Sequence, residues 1–144
     1  MSVGVSSLDR SIQLSMKWLN EVGEELGWPD EERVYDATKA VLNALRDRLP
    51  VGEAVEFAAQ LPMLLKGIYY DSYDLGGKPL KIRDREEFFD LIRDNFGREA
   101  LNPREPMIAF LKVYLRKTGT GEFEDIKRVM PEELRGLFEA AEKA

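Results

Sequence analysis

Apolar residues recur along most of this chain at steps of three and four, the spacing that lays one apolar stripe along an α-helix. Leu8, Ile12, Leu19, Val22 and Leu26 form the first stripe, and Val34, Ala37, Val41, Leu45 and Leu49 the second. The breaks between stripes carry the chemistry that ends and starts helices. Gly27 suits a left-handed C-terminal turn, and Pro29 cannot continue the helix before it. Asp30 is placed to cap the next helix, with Glu31 and Glu32 where its dipole favours negative charge. Pro50 stops that helix. A short third helix, from about residue 52 to 60, turns Ala54, Phe57, Ala58 and Leu61 inward, and Pro62 opens a fourth that reaches about Tyr70.

The periodicity lapses from Asp71 to Arg83, which predicts a connecting segment. Gly76-Gly77 suggests a small hairpin there, with Pro79 confined to an edge arm. Periodicity returns at Asp84, which forms a capping box with Glu87 ahead of Phe88, Phe89, Ile92 and Phe96. Asn102-Pro103-Arg104-Glu105 starts a sixth helix carrying Met107, Phe110, Leu111 and Tyr114. Phe123, Ile126 and Val129 line a seventh, and Pro131 opens an eighth with Leu134, Leu137 and Phe138 inward. The expected fold class is all-α, an orthogonal bundle of about eight helices.

The two halves also repeat one another. Gln60-Leu61-Pro62-Met63-Leu64-Leu65-Lys66-Gly67-Ile68-Tyr69 returns as Val129-Met130-Pro131-Glu132-Glu133-Leu134-Arg135-Gly136-Leu137-Phe138. At the same offset Leu42 matches Leu111, Gly52 matches Gly121 and Glu53 matches Glu122. A half of about 70 residues is marginal as a fold of its own, so the expectation is one domain, 1–144, with a shared core. Repeat one covers about 8–70, the linker 71–83, and repeat two about 84–143. Gly67 and Gly136, mid-helix in their repeats, predict a close crossing of the fourth and eighth helices that sets Lys66 and Arg135 at symmetric positions.

The runs Ala40-Val41-Leu42-Asn43-Ala44-Leu45-Arg46-Asp47-Arg48-Leu49-Pro50, Ala59-Gln60-Leu61-Pro62-Met63-Leu64-Leu65-Lys66-Gly67 and Tyr69-Tyr70-Asp71 resemble the family catalogued as domain of unknown function 2267. Pro79-Leu80-Lys81, Glu87-Phe88, Gly121-Glu122 and Leu134-Arg135 fit the same pattern, so the resemblance runs from Trp18 to Phe138. It implies an all-helical prokaryotic domain with a globin-like arrangement of crossed helices and no haem. It implies no catalytic residues. Ser72-Tyr73 departs from the Gly-Trp often found in the family, and Lys66 stands where Arg is commoner.

Composition narrows the chemistry. With 144 residues and a net charge of −6, the chain lacks the excess of Lys and Arg that binding to nucleic-acid backbones requires. It has no cysteine and no histidine, which excludes disulfides, thiolate zinc sites, imidazole bases and the usual haem ligand. No cofactor and no metal is expected. Met1 to Ser7 has no signal-peptide character and no run is long enough to span a membrane, so the expectation is a soluble cytoplasmic protein.

The candidate surface is the linker and its flanks. Tyr70, Tyr73, Lys78, Lys81 and Arg83, with Lys66 and Arg135, offer aromatic and cationic groups for a planar or anionic ligand or a partner. Their structural reading is a crossover that covers the edge of the core. Glu21, Glu24, Glu25, Glu31 and Glu32 are a second candidate, for a hard cation or for acid and base chemistry, against the ordinary role of solvated helix glutamates. The aromatic residues are either core or the walls of an apolar pocket, and Trp28 either covers the core or is a sticky contact for another chain. The expected function is a non-catalytic protein-interaction or binding module, including self-association. The alternatives are a carrier of an apolar or anionic small molecule and, behind it, an enzyme built on carboxylates, lysine or tyrosine.

Overall fold

A computed structural model describes residues 3–143. Among them lie eight α-helices and no strand: α1 Ser6–Leu26, α2 Glu31–Arg48, α3 Val51–Ala59, α4 Met63–Tyr70, α5 Arg85–Phe96, α6 Arg104–Thr118, α7 Thr120–Val129 and α8 Glu132–Glu142. The all-α expectation holds, and the hairpin expected at Gly76-Gly77 does not form. Capping chemistry sets most of the boundaries. Asp30 Oδ1 accepts from the Glu32 and Arg33 amides at 3.1 and 3.3 Å, and Asp84 Oδ1 accepts from Glu87 N at 3.0 Å. Gly27 and Gly97 end α1 and α5 at φ of 69° and 63°, values that most side chains resist. Pro62 and Pro131 stand one place before α4 and α8, as caps with extended ψ, rather than at the first helical position.

One apolar cluster draws side chains from all eight helices. α2 lies at its middle, packed on α1, α3, α4, α5 and α6. Its expected inner face of Val34, Ala37, Val41, Leu45 and Leu49 is buried, as are Ala40, Leu42 and Ala44, so it is apolar nearly all round. The second, third and fourth helices of each half touch one another: α2, α3 and α4 in one, α6, α7 and α8 in the other. α1 also packs on α6, and α5 on α2, so each half's first helix lies against the other half. Aromatic rings fill the centre. Phe57 stacks on Tyr114 at 4.3 Å and on Tyr69 at 5.4 Å, while the two hydroxyls donate to the carbonyls of Phe57 and Ala54 at 3.3 and 2.9 Å. Phe57, Tyr69, Phe110 and Tyr114 are thus core residues, each fully buried.

The close crossing expected at Gly67 and Gly136 is absent. α4 packs on α1, α2 and α3, whereas α8 packs on α6 and α7, and a side chain built at either glycine would meet nothing within 4 Å. The helix glycine that does mark an approach is Gly23 in α1, where an added Cβ would lie 3.4 Å from Val34 Cγ2 of α2. With no packing to lose, Gly67→Ala and Gly136→Ala should each stabilise the fold by up to about 1 kcal/mol, read in urea unfolding. A loss of stability in either variant would mean that the glycine is required by packing.

Arg46 holds the end of α2 to the linker. Its side chain is buried, and Nη1 donates to the carbonyls of Tyr69 at 2.9 Å and Asp71 at 2.8 Å, around the C-terminus of α4. Nε pairs with Asp47 at 2.8 Å, and the guanidinium lies 5.1 Å from the centre of the Tyr73 ring. Arg46→Ala would orphan the Asp71 carbonyl, leave the Tyr69 carbonyl with only Asn43 Nδ2 at 3.4 Å, and leave Asp47 without its partner, so unfolding should become easier by about 3 kcal/mol or more. Arg46→Lys should recover only part of this, since one ammonium cannot reproduce the planar fork.

Candidate functional site

α1 carries more apolar surface than one face can bury. Its core side is Ser15, Trp18 and Val22, all buried. Leu8, expected in the core, is 50% exposed, and Ile12 and Leu19 are half-buried. These three lie beside the core face on a second apolar strip, which forms one wall of a groove. Near the C-terminal half of α1 a cleft of about 920 Å³ is lined by Met16, Leu19, Gly23, Trp28, Val34 and Tyr35, with Asn20, Glu24, Glu31 and Glu32 among its polar residues. Near the N-terminal half a second cleft of about 500 Å³ is lined by Leu8, Ile12, Met63, Leu64, Gly67 and Ile68, with Lys39 and Asp71 beside them. Tyr35 lines both, so the two clefts adjoin along α1 in a groove bordered by α1, α2 and α4.

Local chemistry holds the walls in place. Leu64 N–H, one of the first-turn donors that α4 cannot use internally, donates to Ser11 Oγ of α1 at 3.2 Å. On the opposite side of α1, Glu21 and Glu25 bind Arg116 of α6 at 2.9 and 3.0 Å, Lys112 approaches Glu25 at 3.6 Å, and Lys117 pairs with Glu21. Lys117 and Arg116 lower the Glu21 carboxyl below its ordinary range, the Lys117 hydrogen bond contributing most. Two of the five glutamates considered for cation or acid and base chemistry are thus spent on joining α1 to α6. Trp28 packs partly on the core with Arg33 stacked 3.7 Å over its ring, and it also lines the groove.

The linker residues are not gathered into this groove. Tyr70 and Tyr73 are half-buried against the core with ring centres 6.3 Å apart, and the Tyr73 hydroxyl is buried without a partner. Lys81 and Arg83 are exposed, and Arg83 stands near enough to Arg48 to add to the burial that lowers that guanidinium's basicity. Lys78 is half-buried with Nζ 3.5 Å from the Gly76 carbonyl. Lys66 is half-buried on α4 and Arg135 exposed on α8, helices that do not pack along one another. None of the seven lines either cleft.

A group that the carboxylate reading overlooked lies where α3 meets α7. Glu53, Glu56 and Glu122 each bring an oxygen within 4.8 Å of the others. Glu53 Oε2 and Glu122 Oε1 are buried without hydrogen-bond partners. Burial raises the Glu122 carboxyl from 4.5 to about 7, and the neighbouring charges of Glu56, Asp125 and Glu53 add to the effect. The available signal was the Gly-Glu pair that recurs as Gly52-Glu53 and Gly121-Glu122, because matched positions on two packed helices can meet.

The groove and the helical architecture define an all-α domain with an open apolar face. The family described as uncharacterized conserved protein (DUF2267) matches residues 15–137, and the chain belongs to that family. No curated protein matches the chain. Among the described residues no helix is long and apolar enough to cross a membrane.

The Glu122 environment gives a pH dependence with a definite sign. An unfolded chain releases this proton near 4.5 and the folded chain near 7, so the folded state holds more protons in between. Stability should therefore fall as pH rises across that window and level off above it. Allowing for solvent screening, the loss should be about 1–2 kcal/mol. Glu122→Gln should remove that component and be the more stable protein at about pH 8, as measured by urea unfolding across the window. Parallel pH profiles for the two proteins would count against the arrangement.

Proposed function

We propose that this protein is a non-catalytic binding module that engages another protein through the groove along α1. The supporting observation is the continuous exposed apolar surface at the groove's N-terminal end, where Leu8 is 50%, Leu64 47% and Met63 70% exposed. Large side chains grouped in this way are costly in water and characteristic of surfaces that a partner covers. The groove is open along its length, which suits a macromolecular segment better than a small molecule, most of whose surface a binding pocket must enclose. The linker is a second contact region in this reading: its exposed Lys81 and Arg83 lie outside the groove and are free to meet the rim of a larger partner.

Site-specific photocrosslinking in cells that naturally carry the protein tests this reading. A benzophenone side chain placed at residue 64 should trap a discrete protein partner, and the adduct should disappear when Leu8→Asp and Met63→Asp are added. The same probe at exposed Glu86, on α5, should trap none. No adduct at residue 64, or equal trapping at both positions, would refute binding through the groove.

A further inference from the structure

The groove carries an unbalanced charge at one end. Glu24, Glu31 and Glu32 line the cleft beside the C-terminal half of α1, and no Lys or Arg lines it with them. None of the three makes an ion pair among the described residues, and the nearby cations are committed elsewhere. Arg33 binds Glu99 at 2.7 Å, and Arg116 holds Glu21 and Glu25. At the other end the charges oppose one another, with Lys39 Nζ 4.0 Å from Asp71. The groove therefore pairs an apolar length with an acidic terminus that has no ion-pair partner among the described residues, beyond the α2 N-terminal dipole that favours Glu31 and Glu32.

We propose that the groove takes an amphipathic helix of a partner protein, its apolar side laid along α1 and its Lys or Arg residues clustered at the end that meets Glu24, Glu31 and Glu32. This rests on the binding-module reading above and specifies its partner. From Leu8 to Gly23 the groove runs beside α1 for roughly 22 Å, about four turns of a docked helix. Gly67 leaves the floor of the second cleft without a side chain, so a partner backbone can come close there. An extended peptide has no strand edge to pair with here, because the groove's walls are helices. A second copy of this chain fits less well: a twofold contact across the first cleft would bring both copies' glutamates together, in a protein whose net charge is already −6.

Selection from a library of single helices displayed on a rigid scaffold, with surface positions randomised, tests the proposal against the full chain. Binders should carry apolar residues three, four and seven apart and a basic cluster at one end. A synthetic peptide of the best binder should bind the Glu24→Gln, Glu31→Gln, Glu32→Gln triple variant about tenfold more weakly than wild type, with a flatter salt dependence. It should not bind the Leu8→Asp, Met63→Asp double variant, whose helicity and melting should match wild type because both side chains are exposed. Binders that require Leu8 and Met63 but have no basic cluster, or are indifferent to the triple variant, overturn the basic helix and leave the binding module standing. Binders indifferent to the double variant, or no binders at all, overturn both. A dimer in sedimentation equilibrium that the double variant abolishes makes the second copy the occupant and overturns the proposal.

Discussion

A guanidinium enclosed by protein fixes how the first half of the chain is laid out. Arg46 loses its water at the end of α2 and is compensated only because α4 ends where its carbonyls can accept, with Asp47 alongside. That requirement ties the direction of α2 to the position of α4 and to the path of the linker, which passes over the guanidinium with Tyr73. Leu80 N–H then donates to the Asp47 carbonyl at 2.8 Å, so the linker's second limb is anchored to the same turn. The groove depends on this arrangement, since two of its walls, α2 and α4, are held in register through Arg46.

Charge has a different role at each face of the bundle. Between α1 and α6, opposite charges meet and fasten a long helix whose outer strip is left apolar. Between α3 and α7, like charges meet at an otherwise apolar contact and hold a carboxyl in its neutral form as the pH approaches 7. Along the groove, charge is left unanswered at one end. The first arrangement contributes stability and the second costs some. The third leaves its carboxylates without ion-pair partners among the described residues, and only the α2 N-terminal dipole favours Glu31 and Glu32.

The fold was legible because its signals are local. Glycine at 27 and 97, aspartate at 30 and 84, and proline at 50, 62 and 131 each act on the residues next to them, and the helices begin and end within a residue or two of those marks. The core was legible for α2, α3, α5, α6 and α8, whose apolar positions make one stripe or encircle the helix. α1 misled because its apolar residues form two adjoining strips, and spacing alone does not say which one the core takes. Trp18 and Val22 are buried, while Leu8 and Ile12 line the groove. Gly67 and Gly136 misled for a related reason: an open space beside a helix and a close neighbour both leave a glycine in the sequence, and only the packing distinguishes them.

That open space has an evolutionary side. Position 67 is helical, exposed and free of neighbours, so alanine there would stiffen α4 at no steric cost. It would also raise the floor of the groove. Selection for heat resistance alone would fill this position early, and selection for a partner that lies close against α4 would keep it bare. Gly136, equally open but outside both clefts, is the control: alanine there would stiffen α8 and leave the groove unchanged.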